Sequence, residues 1–162
     1  MNEPDVMVYL MTGFLDSGKS QFLKFTLTQD YFQIDGTTLL ILCEEGEEEF
    51  DPLEMAKHGV KIIKIEEQEE LTEAFLNELH EKYSPERVVI EYNGMWKVSD
   101  FEALSLPQGW EIEQKLTTVD ASTFQMYLNN LKPLFVEWYA GRNWCCLIVV
   151  QILNLWQDTA EV

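Results

Sequence analysis

The chain has 162 residues, enough for one domain with a substantial core but not comfortably for two. Eleven Lys+Arg against 29 Asp+Glu give a formal net charge of −18, so a nucleic acid would be repelled and an anionic ligand must be held by backbone donors and one or two lysines. "MNEPDVMVYL" lacks the basic start and long apolar run of a leader, and "WCCLIVVQILNLW" falls short of the ~20 residues of a membrane helix. Cys43, Cys145 and Cys146 build no disulfide framework, so a reduced, cytoplasmic protein is expected, with neither nucleic acid nor membrane as partner.

In chain order, "DVMVYLMT" (5–12) reads as a buried strand that stops at Gly13. "GKSQFLKFTLTQDYF" (18–32) follows as a helix, with Phe22 and Phe25 expected on one face. "GTTLLILCEEG" (36–46) reads as a second buried strand running into the acidic stretch Glu44 to Asp51, and "GVKIIKIE" (59–66) alternates like a third. "EEQEELTEAFLNELHEKYSP" (66–85) is an amphipathic helix with Leu71, Ala74, Phe75 and Leu79 on its apolar side and Pro85 at its end. "ERVVIEYNG" (86–94) and a segment within "GWEIEQKLTTVDAS" (109–122) supply two more strands. "STFQMYLNNLKPLFVE" (122–137) reads as a helix bent at Pro133. Strands alternating with helices predict an α/β fold with a doubly wound, mostly parallel sheet.

Gly13-Phe14-Leu15-Asp16-Ser17-Gly18-Lys19-Ser20 satisfies G-x-x-x-x-G-K-[ST] between a strand and a helix, the context in which that spacing cradles phosphates. Successive backbone N–H groups and the positive end of the helix surround an anion. Gly18 lets the backbone approach, Lys19 bridges two phosphate groups, and the Ser20 hydroxyl is a Mg²⁺ ligand. Such a loop needs a carboxylate at the end of a neighbouring strand, and "VVIEYNG" (88–94) offers Glu91 there. Gly94, three residues on, can present its N–H to a terminal phosphate.

With "TTVDA" (117–121) added, these motifs resemble the CobW/HypB/UreG family of GTP-binding proteins over about residues 6–137. The resemblance implies a metal-chaperone-type GTPase that binds GTP with Mg²⁺ and hydrolyses it slowly, with a client metalloprotein or a homodimer partner. It implies a fold of the P-loop NTPase type and carries Gly13, Gly18, Lys19 and Ser20 over to phosphate and Mg²⁺ binding and Glu91 and Gly94 to the second motif. The expected site adds Leu15, Asp16, Ser17 and Gln21 to the cradle, with Ser20 and Glu91 at the metal and Lys19, Glu91 and Asp16 in catalysis. Two other readings stay open: a P-loop small-molecule kinase or ATPase, and a non-catalytic fragment that binds nucleotide weakly or not at all.

Two departures stand out. Where the family carries Cys-x-Cys-Cys, this chain reads "LCEEGEEEFD". Cys43 is then expected to be a small core residue, His58 and His80 surface or packing residues, and the acidic run a solvated switch loop rather than a weak hard-cation site, with no specific transition-metal site. Asp16 stands where relatives usually have glycine, and a carboxylate there must point away from phosphate or serve hydrolysis.

The last residues divide the chain into a nucleotide-binding domain, 1–137, and an apolar tail, 138–162. The tail contains a strand, "WCCLIVVQIL", but no guanine-reading Asn-Lys-x-Asp, so the fold is expected to be incomplete at that end. Reading one base earlier from Trp138 permits Leu-Val-Leu and then Asn and Arg, the kind of element the resemblance leads one to expect. A frameshift near Glu137 is one account of the tail, and a genuine lineage-specific tail is the other.

Overall fold

The computed structural model describes residues 5–45, 49–139 and 144–149. They form an α/β fold around one six-stranded, all-parallel sheet. Its strands are β1 (Val6–Thr12), β2 (Thr38–Leu42), β3 (Val60–Lys64), β4 (Arg87–Glu91), β5 (Trp110–Asp120) and β6 (Trp144–Val149), in the order β3-β2-β4-β1-β5-β6. Helices are α1 (Lys19–Leu27), α2 (Pro52–Lys57), α3 (Glu73–Tyr83), α4 (Val98–Glu102), α5 (Phe124–Asn130) and α6 (Lys132–Tyr139). None among the described residues is long and apolar enough to cross a membrane.

Both faces of the sheet are covered, which is why its central strands are apolar throughout rather than alternating. Along β1, Val6, Val8 and Leu10 face the larger core, with Leu76 and Leu79 of α3, Val98 and Phe101 of α4, and Phe135 and Trp138 of α6. Met11 faces the other way, into a smaller core with Leu23 and Leu27 of α1 and Met55 of α2. The fold is therefore doubly wound, and the crossovers from β1 and from β5 leave in opposite directions. The carboxyl edge between those two strands is the switch point at which such sheets place ligands.

Local chemistry accounts for most element boundaries and for several departures from the periodicity. α1 stops at Leu27, not near Phe32: the Thr28 hydroxyl turns back onto the carbonyls of Lys24 and Phe25, and the Gln33 amide donates to that of Leu27. Its buried residues are Lys19, Ser20, Leu23 and Leu27; Phe22 is half-buried against the smaller core, whereas Phe25 is 60% exposed. In α3 the buried pair is Leu76 and Leu79, whereas Ala74 is exposed. Thr72 caps its first turn through Phe75 N–H, and Ser84, in the left-handed region, ends it before Pro85.

The expected helix over 122–137 is two helices. The break falls at Leu131, because Pro133 fits the first turn of a new helix but not the interior of an old one. α2 and α4 are not apparent from periodicity, being under two turns long. Asp51-Pro52 is nevertheless a start signal, with the Asp51 carboxylate accepting from Leu53 N–H at 2.8 Å.

The tail contributes β6, which pairs in parallel from Lys115↔Trp144 to Asp120↔Val149. The 137/138 division falls inside α6, and Trp138 is part of the larger core. The stretch after Val149, where a base-reading motif would follow, lies outside the described residues.

Candidate functional site

The Gly13–Ser20 loop leaves the carboxyl end of β1, the central strand, and runs into α1, so strand, loop and helix stand in the order the motif requires. Gly13 adopts φ +138°, and a Cβ there would meet Ser17 Oγ and Thr118 O at 2.6 Å. The tight turn needs glycine for both reasons. Gly18 precedes α1 at φ 88°, no side chain caps the helix, and its first turn carries no acid. First-turn N–H groups have no acceptor within the helix, so this end is suited to an anion.

Asp16 sits at φ 59°, in the left-handed region. Aspartate tolerates that region better than most residues, which gives Asp16 a conformational reason for standing where glycine is otherwise used. Leu15 and Asp16 are exposed on the loop crest and Gln21 is exposed on α1, whereas Ser17, Lys19 and Ser20 are buried.

On one flank the loop meets β4. Met11 is in register with Glu91, and the Ser20 hydroxyl donates to Glu91 Oε1 at 2.6 Å. The side chain thus stands where the loop requires a carboxylate. Glu91 is 1% exposed, and its second oxygen, Oε2, has no hydrogen-bond partner among the described residues. Burial pushes its carboxyl up from the ordinary range, against the opposing pull of Ser20 and Lys19 and with a further push from Glu44. A buried carboxylate oxygen left unpartnered beside a serine hydroxyl is a hard oxygen pair, the donor chemistry that Mg²⁺ prefers.

Gly94 closes the same corner. A Cβ on it would lie 2.3 Å from Gly13 O and 2.9 Å from Phe14 Cα, so glycine is required where the two loops touch. The Asn93 side chain links this turn to β2, donating to Cys43 O at 3.3 Å.

Lys19 is 4% exposed, and its ammonium donates to Gly13 O at 2.7 Å and Phe14 O at 2.8 Å. It also pairs with Glu44 Oε2 at 2.7 Å. In the sequence Glu44 is one acid among a run of acids. The signal that marks it is its place: the second residue after β2, level with the loop across β4.

Beside Ser20 a cleft of about 210 Å³ is lined by Glu44, Glu45, Glu49, Glu66 and Glu91, with Lys64 at its side. Among the described residues no three acids, histidines or cysteines are arranged to hold a metal. Cys43 is buried, and its thiol is pushed far up, chiefly by burial and then by Glu91 and Glu44, so it is not a ready thiolate ligand. His80 accepts from Trp110 Nε1 at 3.0 Å and serves packing.

On the other flank the loop meets β5 through neutral groups. The Ser17 and Thr118 hydroxyls bond at 2.7 Å, and those of Thr12 and Thr117 at 2.7 Å. Phe14, inside the loop, is buried in a nest of rings. It stacks on Tyr127 at 4.3 Å and packs against Phe135 and Trp138 at 5.2 and 4.5 Å between centroids.

No known family profile and no curated protein matches the chain.

Proposed function

We propose that this chain is a Mg²⁺-dependent GTP-binding protein that hydrolyses GTP slowly, of the metal-chaperone kind typified by the CobW/HypB/UreG family. The observation that carries the reading is the 2.6 Å hydrogen bond from Ser20 to Glu91, which joins the last residue of the loop to the carboxylate closing the neighbouring parallel strand. A glycine-lysine-serine turn with no nucleotide role has no need of a buried carboxylate there, and burying one is costly.

In this reading the loop amides and the start of α1 hold the phosphates, Lys19 neutralises charge on the transferring group, and Gly94 N–H faces the terminal phosphate. Ser20 and Glu91 hold Mg²⁺, which when bound neutralises phosphate charge. Asp16 lies on the crest, beside the phosphates rather than among them. Leu15 of the loop and Met95 next to Gly94 are 50% and 61% exposed and suit a protein partner, either a client metalloprotein or a second copy. The setting is taken to be cytoplasmic.

The test is calorimetric titration of GTP, ATP and GDP with and without Mg²⁺, alongside Lys19→Ala, with phosphate release followed in parallel. GTP-selective, Mg²⁺-dependent binding that Lys19→Ala weakens by about 100-fold is the expected result. An ATP preference with transfer to a small molecule would favour a kinase. Absence of binding by folded protein would overturn the reading.

A further inference from the structure

The Lys19 ammonium has three N–H donors. Gly13 O, Phe14 O and Glu44 Oε2 take one each, at 2.7, 2.8 and 2.7 Å. A phosphate can gain one of these donors only if a partner leaves. Two of the three are main-chain oxygens inside the loop, and releasing them would dismantle the turn itself. Glu44 is a side chain that can withdraw by rotation while β2 stays in place, since Cys43 N–H remains bonded to Glu91 O at 2.9 Å.

The ion pair is also nearly dry, its two side chains 3% and 11% exposed. Surface pairs are worth little, but one screened from water competes effectively. A single negative group, matched to the only positive charge of the loop motif, therefore holds the place a phosphate oxygen would take.

We propose that Glu44 is a built-in competitor for the phosphate site, and that nucleotide enters only by displacing its carboxylate from Lys19. This rests on reading Gly13–Ser20 as a phosphate cradle, and it adds that occupancy of the cradle is coupled to the conformation at the end of β2. The device suits an acidic chain: Lys19 is kept neutralised until a stronger, multiply charged ligand arrives.

Mg²⁺·GTP affinity measured by calorimetry for wild type, Glu44→Gln, Glu44→Asp and Glu54→Gln tests it. Glu54 is an exposed acid of α2, and its loss changes net charge equally without touching Lys19. If Lys19 is engaged by Glu44 nine-tenths of the time, removing the carboxylate should tighten binding about tenfold. Glu44→Asp, one methylene shorter, should tighten it less, and it keeps the test open should Glu44→Gln fold poorly. Equal gains in Glu44→Gln and Glu54→Gln would reduce the effect to net charge and overturn the proposal. So would weaker binding in Glu44→Gln. If wild type binds and Lys19→Ala does not, yet Glu44→Gln equals wild type, the competitor falls while the cradle stands. If no folded variant binds, both fall together.

Discussion

Along its β4 side the segment Thr12–Ser20 meets ionisable groups, whereas along its β5 side it meets hydroxyls and rings. Ser20 and Lys19 face Glu91 and Glu44 on the first side, in contacts whose strength depends on charge and protonation. Ser17, Thr12 and Phe14 face Thr118, Thr117, Tyr127, Phe135 and Trp138 on the second, in contacts that no pH change and no incoming anion would rearrange. The difference separates two tasks. The neutral side anchors the loop in the core, and the charged side is the part that a ligand would exchange under the proposed function. It follows that substitutions on the two sides should part company, one set acting chiefly on stability and the other chiefly on binding.

The strongest effect belongs to the anchor. Trp138→Ala should cost about 3–5 kcal/mol in urea unfolding, with nucleotide affinity preserved in whatever fraction stays folded. Trp138→Phe should cost far less, since the buried Trp138 Nε1 has no hydrogen-bond partner among the described residues. Lys19→Ala should weaken Mg²⁺·GTP by about 100-fold, roughly 2.7 kcal/mol, and should also lower stability, since it takes the donor from Gly13 O and Phe14 O and leaves the Glu44 carboxylate unpaired.

Glu91→Gln should lower the Mg²⁺ dependence of binding by about 10- to 100-fold and yet stabilise the protein above the ordinary carboxylate range. The sign follows from the direction of its shift. A carboxyl that holds its proton more tightly folded than unfolded takes stability away as pH rises through its folded pKa, and returns it as pH falls. Thermal unfolding from pH 5 to 8 should therefore be flatter in Glu91→Gln than in wild type, and an unchanged slope would deny the carboxylate its cost.

A smaller effect, about 1 kcal/mol, is expected of Thr118→Val, which strands the Ser17 hydroxyl, with Thr118→Ser close to wild type. Asp16→Gly should be nearly neutral or slightly stabilising because glycine accepts φ 59° freely. If it instead changes GTP turnover at unchanged affinity, Asp16 has a part in hydrolysis beyond its backbone role.

Much of this site is legible in the order of the amino acids. Glycine, lysine and serine at set intervals between an apolar run and a helical one specify a tight strand-to-helix loop with its backbone turned toward the helix start, since the spacing is dictated by chain geometry. Glu91 can be found because a strand's end is visible as the point where its apolar run stops. The short helices α2 and α4 are less visible because fewer than two turns leave no period to read. Glu44 is indistinguishable within "CEEGEEE", where adjacent acids look alike and only sheet order decides which one reaches Lys19. The faces of α1 and α3 depart from expectation at Phe25 and Ala74 for a related reason: periodicity gives an apolar stripe, and packing selects its edge.

Chain order and spacing are thus enough to specify a parallel α/β sheet with the Gly13–Ser20 turn at its centre, because both follow from local steric and hydrogen-bonding rules acting over a few residues. Which acid meets the lysine, which rings enclose Phe14, and the placing of Trp144–Val149 beside β5 depend on groups tens of residues apart. Such meetings come from the way the whole chain closes around its two cores, and no short-range pattern encodes them.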